Sequence, residues 1–251
     1  MGAVSRRGFL RLSPSSQRLF EVERFRSVES RVVVAPEVTH PTLVLGSTQP
    51  AELPSRDAVR AGDVEVVRRR GGGGAVYLEP GNHLWLDAWV PRHDSLWSAD
   101  VSAAAEWVGE WWLRAVGLFG APGFSVHTGR SVPGELGDLV CFAGRGPGEV
   151  FGGDRKLVGL SQWRSREGAL FSSCAYARWE PNGILSLFSL DAVTRKELAE
   201  DLGSAAVGLQ EIEAPGDVDM ERLRDELLGS FPSFSPSSSG STAEPGAPSS
   251  D

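Results

Sequence analysis

The chain has 251 residues, 41% of them hydrophobic, with 8 Trp and 11 Phe, enough apolar material for one large or two small packed domains. Its 33 acidic residues outnumber 25 basic ones, giving a formal net charge of −8, which argues against a nucleic-acid-binding surface and predicts no nucleic-acid partner. Two cysteines make neither a disulfide framework nor a zinc site and fit a reducing cytoplasm; with no run of about 18 apolar residues, neither a membrane-spanning helix nor a membrane partner is expected.

Residues 1–29 are basic, serine-containing and weakly patterned. Ser5-Arg6-Arg7-Gly8-Phe9-Leu10-Arg11 matches a twin-arginine export pattern, but the polar, proline-broken stretch Leu12–Arg18 follows where an apolar segment is needed. The stretch therefore reads as a mobile leader in front of a domain over 30–230. Arg31–Ala35 opens the first predicted strand, and Thr42–Leu45, Val64–Val67 and Ala75–Leu78 continue the β pattern. In His83–Val90 the apolar alternation puts Leu84, Leu86, Ala88 and Val90 on one face and Trp85 and Trp89 on the other. Ser98–Val116 is the clearest helix, capped by Ser98 or Asp100, with Val101, Ala104, Ala105, Val108, Trp111, Trp112 and Ala115 at helical spacing and Gly117 as its stop. Tryptophans at that spacing predict a helix face laid on a sheet. Leu139–Phe142, Glu149–Phe151, Lys156–Ser161, Ala169–Trp179 and Ile184–Leu190 read as further strands, and 191–203 and 217–229 as two closing helices. The Ser/Pro/Gly-rich segment 231–251 is predicted to be disordered. Strands first, a long helix in the middle and helices at the end indicate an α+β fold.

The most informative stretch is Arg68-Arg69-Arg70-Gly71-Gly72-Gly73-Gly74-Ala75-Val76-Tyr77, followed by Pro80-Gly81-Asn82. Four glycines between two strands free the backbone to approach a ligand closely, and flanking arginines suit a carboxylate or phosphate. The Lys-Ser/Thr that completes a Walker-type phosphate loop is missing. Two further segments stand in order around it: Pro41–Gln49, ending in Gly-x-x-Gln, and Gly153-Asp154-Arg155-Lys156-Leu157-Val158-Gly159-Leu160-Ser161-Gln162. Together the three motifs closely resemble the signature of the lipoate–protein ligase and octanoyltransferase family.

The resemblance implies a mixed β-sheet packed with helices, a biotin/lipoate ligase-like catalytic domain, and an enzyme that attaches a lipoyl or octanoyl group to a lysine. The acceptors it implies are lipoyl-carrier domains of 2-oxoacid dehydrogenases or a glycine-cleavage H-like protein. In the ligase form, ATP and Mg²⁺ convert the acid to an acyl-adenylate, held by Gly71, Gly72, Gly73 and Gly74 with Arg69 or Arg70 on a phosphate, and Lys156 stabilises the anionic intermediate. Ala75, Tyr77, Asn82, Gly159 and Gln162 are motif positions expected at the substrate or ATP site. In the transferase form no cofactor is needed: the acyl group arrives as a thioester, for instance on acyl carrier protein, and Cys141 of the Cys141-Phe142 pair is the nucleophile. Cys174 lies inside an apolar strand and reads as core. Leu78-Glu79 and Ser172-Ser173 stand where the family usually has His-Asp and His-Gly, and no Asn-x-Ala-x-Asp-Glu-like run is recognisable. A non-catalytic acyl- or nucleotide-binding member is the third reading these departures leave open.

Overall fold

The computed structural model describes residues 7–11, 23–132, 134, 136–214 and 216–232. The expected tail 231–251 and leader 1–29 therefore fall largely outside the described residues. In chain order the elements are β1 (Arg7–Arg11), α1 (Glu23–Arg26), β2 (Val32–Glu37), β3 (Thr42–Leu45), α2 (Arg56–Ala61), β4 (Glu65–Arg68), β5 (Val76–Leu78), β6 (His83–Pro91), α3 (Ala103–Gly117), β7 (Phe124–Val126), β8 (Val150–Gly152), β9 (Arg155–Arg164), β10 (Gly168–Tyr176), α4 (Pro181–Leu185), α5 (Ala192–Ala205) and α6 (Met220–Ser230). A seven-stranded mixed sheet runs β1-β2-β6-β10-β9-β8-β7, and a three-stranded sheet runs β4-β3-β5. The α+β class with mixed sheet and packed helices is as the sequence predicts.

β6 shows why the fold has layers. It is buried along its whole length, and its alternation sends Leu84, Leu86, Ala88 and Val90 into one core and Trp85 into a second. The first core lies under α3 and α6, where Trp111 and Trp112 are fully buried. Their ring N–H groups find partners, Trp111 on the Leu227 carbonyl at 3.2 Å and Trp112 on Ser173 Oγ at 2.9 Å. The tryptophans are thus structural cover, each large side chain contributing about 2–3 kcal/mol by burial. The second core lies between the two sheets and under α4 and α5. Asp100 sets the entry to α3, its Oδ1 accepting from Ser102 N and Ala103 N, and the helix runs through Gly117.

Two predicted strands take other forms. Leu139–Phe142 makes a single bridge, Val140 to Ala75, and then turns through a 3₁₀ turn at Cys141–Ala143. Phe142 drives this, because it must reach the second core, where its ring lies 4.9 Å from Tyr176 and 5.2 Å from Trp179. Ile184–Leu190 begins inside α4, with Pro181 at the first helical turn, where its missing N–H costs nothing. Ile184, Leu185, Leu187 and Phe188 are all buried, a spacing that fits a turn of helix as well as a strand. Within the stretch read as leader, β1 pairs in parallel with β2, and Phe25 stacks on Trp89 at 6.2 Å, so the packed unit reaches upstream of residue 30.

Candidate functional site

The glycine loop joins β4 to β5, and arginines shape it from beneath. Arg68 donates from Nη1 to the carbonyls of Gly46 at 2.7 Å and Gln49 at 2.6 Å. Arg69 is buried, and its Nη2 donates to the carbonyls of Gly72 at 2.7 Å and Gly74 at 2.9 Å. Arg69 therefore holds the loop's shape, facing inward rather than toward a phosphate. Arg70 is exposed and borders a small cavity with Gly71, Ser161 and Trp163. Gly73 has φ of +90°, and a Cβ on Gly74 would stand 2.6 Å from the Gly137 carbonyl oxygen, so neither position accepts a side chain without strain. Gln49 of the first motif pins the facing segment, its Nε2 donating to the Asp138 carbonyl at 2.7 Å while its Oε1 accepts from Gly46 N.

Lys156 is the second residue of β9, after the turn at Gly153, whose φ is +60°. Its side chain is 1% exposed, and its Nζ donates to Glu149 at 2.8 Å and to the Cys141 carbonyl at 2.8 Å. Glu149 is itself buried and fully engaged, accepting also from Leu160 N at 3.1 Å and Gly146 N at 2.6 Å. Burial pushes the Glu149 carboxyl above its ordinary range, while Lys156 and the two backbone donors pull it down. No sequence motif singled out Glu149; its only signal was its place at the start of a predicted strand, seven positions upstream of the lysine.

Cys141 is half-buried at the head of the 3₁₀ turn, with Arg69 Nη2 4.0 Å from its Sγ. It faces an open cleft of about 410 Å³ lined by Gly72, Gly73, Gly74, Glu149, Lys156 and Gln162. The α3 residues Val101, Ser102 and Ala105 form part of its wall. Gln162 presents an amide whose Oε1 and Nε2 are buried and unpartnered within the protein. Behind Cys141 a smaller apolar cavity of about 10 Å³ is bordered by Arg69, Val76, Trp85, Phe142, Gly159 and Cys174. Cys174 is fully buried, and burial pushes its thiol well above the ordinary range, as suits a core residue.

Glycine loop, cysteine, lysine and glutamine thus converge from distant parts of the chain. Other predicted positions lie apart from the cleft. Ala75 is buried and bridges to Val140, Tyr77 borders a separate depression beside Tyr176 and Trp179, and Asn82 exchanges hydrogen bonds with the backbone of Arg178. The departures from the family pattern have structural partners here: Leu78 is core, Ser172 Oγ donates to Asp87 at 2.6 Å, and Ser173 Oγ accepts from Trp112.

Solved structures of the same fold include a bipartite lipoate protein ligase of an archaeal lipoylation system from Thermoplasma acidophilum, at TM-score 0.68 and 17% identity over 90% of this chain and 82% of that one. A putative lipoate protein ligase from Thermoplasma acidophilum with bound lipoic acid matches at TM-score 0.65 and 17% identity over 89% and 82%. Lipoate-protein ligase A bound with ATP matches at TM-score 0.62 and 16% identity over 89% and 82%. Among curated proteins none matches the chain in sequence. The lipoyl protein ligase A/B catalytic domain profile matches residues 20–231, spanning the glycine loop, Cys141 and Lys156, and the chain belongs to that family.

Proposed function

We propose that this protein attaches a lipoyl or octanoyl group to a lysine of a lipoyl-carrier domain, and that it does so through a thioester on Cys141. The observation that carries the choice of route is the charge of the cleft. Its ionisable lining is Arg145 and Lys156 against Asp138 and Glu149; Lys156 is paired with Glu149, and Arg145 with Asp154 at 2.7 Å. A nucleoside triphosphate brings several negative charges and needs uncompensated donors. Among the described lining residues each cation has a carboxylate partner, which favours a neutral donor over ATP and Mg²⁺, and no step is routed through them. A neutral thioester needs no such cations.

In the thioester route the Cys141 thiolate attacks the carbonyl carbon of the donor, forming the Cys141–acyl bond and expelling the donor thiolate, which takes up a proton. The exposed backbone of Gly72 and Gly73 offers N–H donors for the oxyanion, and Arg69 sets a buried positive charge beside the sulfur. The neutral amine of the acceptor lysine then attacks the same carbon, the amide forms with its surplus proton released to solvent, and Cys141 leaves as thiolate. Acyl carrier protein is the expected donor. A lipoyl domain of a 2-oxoacid dehydrogenase or a glycine-cleavage H-like protein is the expected acceptor.

Intact-mass analysis of a lipoyl domain tests this in two parallel reactions, one with octanoyl-acyl carrier protein and no ATP, the other with octanoate, ATP and Mg²⁺. Acylation in the first alone is the expected result. Acylation in the second alone transfers the assignment to the adenylate route, and no mass shift in either contradicts the proposed reaction.

A further inference from the structure

The sheet face under α3 carries a row of polar side chains whose atoms lack partners. Gln162 and Arg164 stand two positions apart on β9, about 7 Å along one face, opposite Phe171 and Ala169 of the first core. Trp97 packs against the same core, and Arg92 and Arg164 lie over its ring at 4.9 and 4.8 Å from the centroid. Gln162 Oε1 and Nε2, Arg164 Nη1 and Trp97 Nε1 are buried without a hydrogen-bond partner. They make up four of the eight such side-chain atoms among the described residues, so the shortfall gathers here. Neither Arg92 nor Arg164 has an ion-pair partner among the described residues; Arg164 Nη2 donates to the Ser98 carbonyl instead. The acids flanking Trp97 are engaged elsewhere, Asp94 with Arg31 at 2.7 Å and Asp100 with the first amides of α3. Burial and the like charge of Arg92 disfavour the charged form of Arg164 and outweigh the opposing pull of Asp100.

The row begins inside the cleft and runs out of it. Gln162 and Val101 line the cleft with Cys141, Val101 is 55% exposed, and Ser98, held by Arg164, lies three residues upstream. Outward from the Cys141 sulfur the wall thus offers an amide, an exposed apolar side chain and a pair of guanidinium groups. A carrier-borne thioester presents the matching order, since its sulfur ends an arm of amides, a dimethyl-substituted carbon and a phosphate. An arm amide meets Gln162 with both a donor and an acceptor, the methyl groups cover Val101, and the phosphate accepts from the planar arginine forks. Buried donors without partners cost free energy that a ligand's acceptors restore. Arg92, exposed at the surface, covers the Trp97 ring as one long side chain that an incoming phosphate can draw aside. Stacking on the indole restricts both arginines before binding and lowers the entropy cost of the contact. Resting on the thioester route proposed above, we infer that the wall from Gln162 past Val101 to Arg164, Trp97 and Arg92 binds the phosphopantetheine arm of the acyl donor and threads its thioester to Cys141.

Binding is measured apart from turnover, with an arm that Cys141 cannot cleave. S-octyl phosphopantetheine and S-octyl pantetheine, thioethers that differ only in the phosphate, are titrated calorimetrically against the full chain. The phosphate is expected to lower Kd at least about tenfold through charge-assisted hydrogen bonds. Arg92 is exposed, so Arg92→Gln should keep the melting temperature of the wild type. This variant is expected to bind the phosphorylated arm several-fold more weakly and the plain arm as the wild type does. Gln162→Leu is expected to weaken both arms alike. No phosphate increment in the wild type, or an unchanged increment in folded Arg92→Gln, overturns the inference. Tighter Arg92-dependent binding of ATP with Mg²⁺ than of the phosphorylated arm overturns it too. With octanoyl-acyl carrier protein and octanoyl-coenzyme A as donors, Arg92→Gln is expected to raise KM rather than lower kcat. Whichever donor has the lower KM in the wild type identifies the arm as protein-borne or free, and either supports the subsite. Arm binding without acyl transfer keeps the subsite and removes the reaction, and transfer without a phosphate increment does the reverse.

Discussion

At the residue scale the site turns on one buried ion pair. Lys156 is 1% exposed and Glu149 3%, so neither charge is compensated by water if the other is removed. Removing one partner of such a pair costs about 3–5 kcal/mol, whereas removing both together is often nearly neutral. Lys156→Met is therefore expected to lose roughly that much stability in denaturant unfolding, and Lys156→Met/Glu149→Gln to recover most of it. The deficit of the single variant also depends on pH. Glu149 without its cation holds a proton in the folded state that the unfolded state releases, so its deficit relative to wild type should shrink as pH falls toward about 5. A pH-independent deficit, or a double variant no more stable than the single, contradicts the pairing. Lys156 itself was legible, because it is one of two lysines and sits in a strong motif; Glu149 was not, because its role exists only once the β8–β9 hairpin folds the two together. The choice between Arg69 and Arg70 stayed open for a related reason: which of the two turns inward follows strand register, which sequence spacing does not state.

Among the elements, the glycine loop separates structural from functional need. Gly73 and Gly74 are constrained by φ and by close backbone contact, but an added Cβ at Gly72 meets nothing within 4 Å, and Gly72 is exposed on the cleft. Gly74→Ala is expected to destabilise by about 1–3 kcal/mol through overpacking. Gly72→Ala should leave the melting temperature within a degree or two of wild type yet raise KM for the acyl donor several-fold. An unaffected KM would show that the ligand does not lie against Gly72. The elements themselves were readable wherever one apolar period ran long enough, as in β6 and α3. Leu139–Phe142 and Ile184–Leu190 were misread because a short apolar run has the same appearance whether it pairs in a sheet or packs as a turn.

The molecule as a whole is a two-sheet α+β body in which β6 divides the cores, and His83 at its start reports on that packing. It is buried, its Nδ1 lies 2.8 Å from the Glu79 carbonyl, and burial lowers its pKa below the ordinary 6.5. Below that value the unfolded chain takes up a proton that the folded chain excludes, so stability is full above about pH 6.5 and falls as the pH drops toward the folded value. The melting temperature should decline between pH 7.5 and 5.5, less steeply in His83→Gln; an identical decline in both would assign it to other groups. Among the described residues no helix is long and apolar enough to cross a membrane. The architecture was legible from three motifs in order, but those motifs are shared by the adenylate and thioester routes and do not choose between them. The most direct measurement is therefore intact mass and peptide mapping of the protein itself after incubation with octanoyl-acyl carrier protein, without ATP. One octanoyl group on Cys141, absent in Cys141→Ala and discharged on adding a lipoyl domain, is the predicted result. Unmodified protein, together with full lipoyl-domain acylation by Cys141→Ala, would contradict the account.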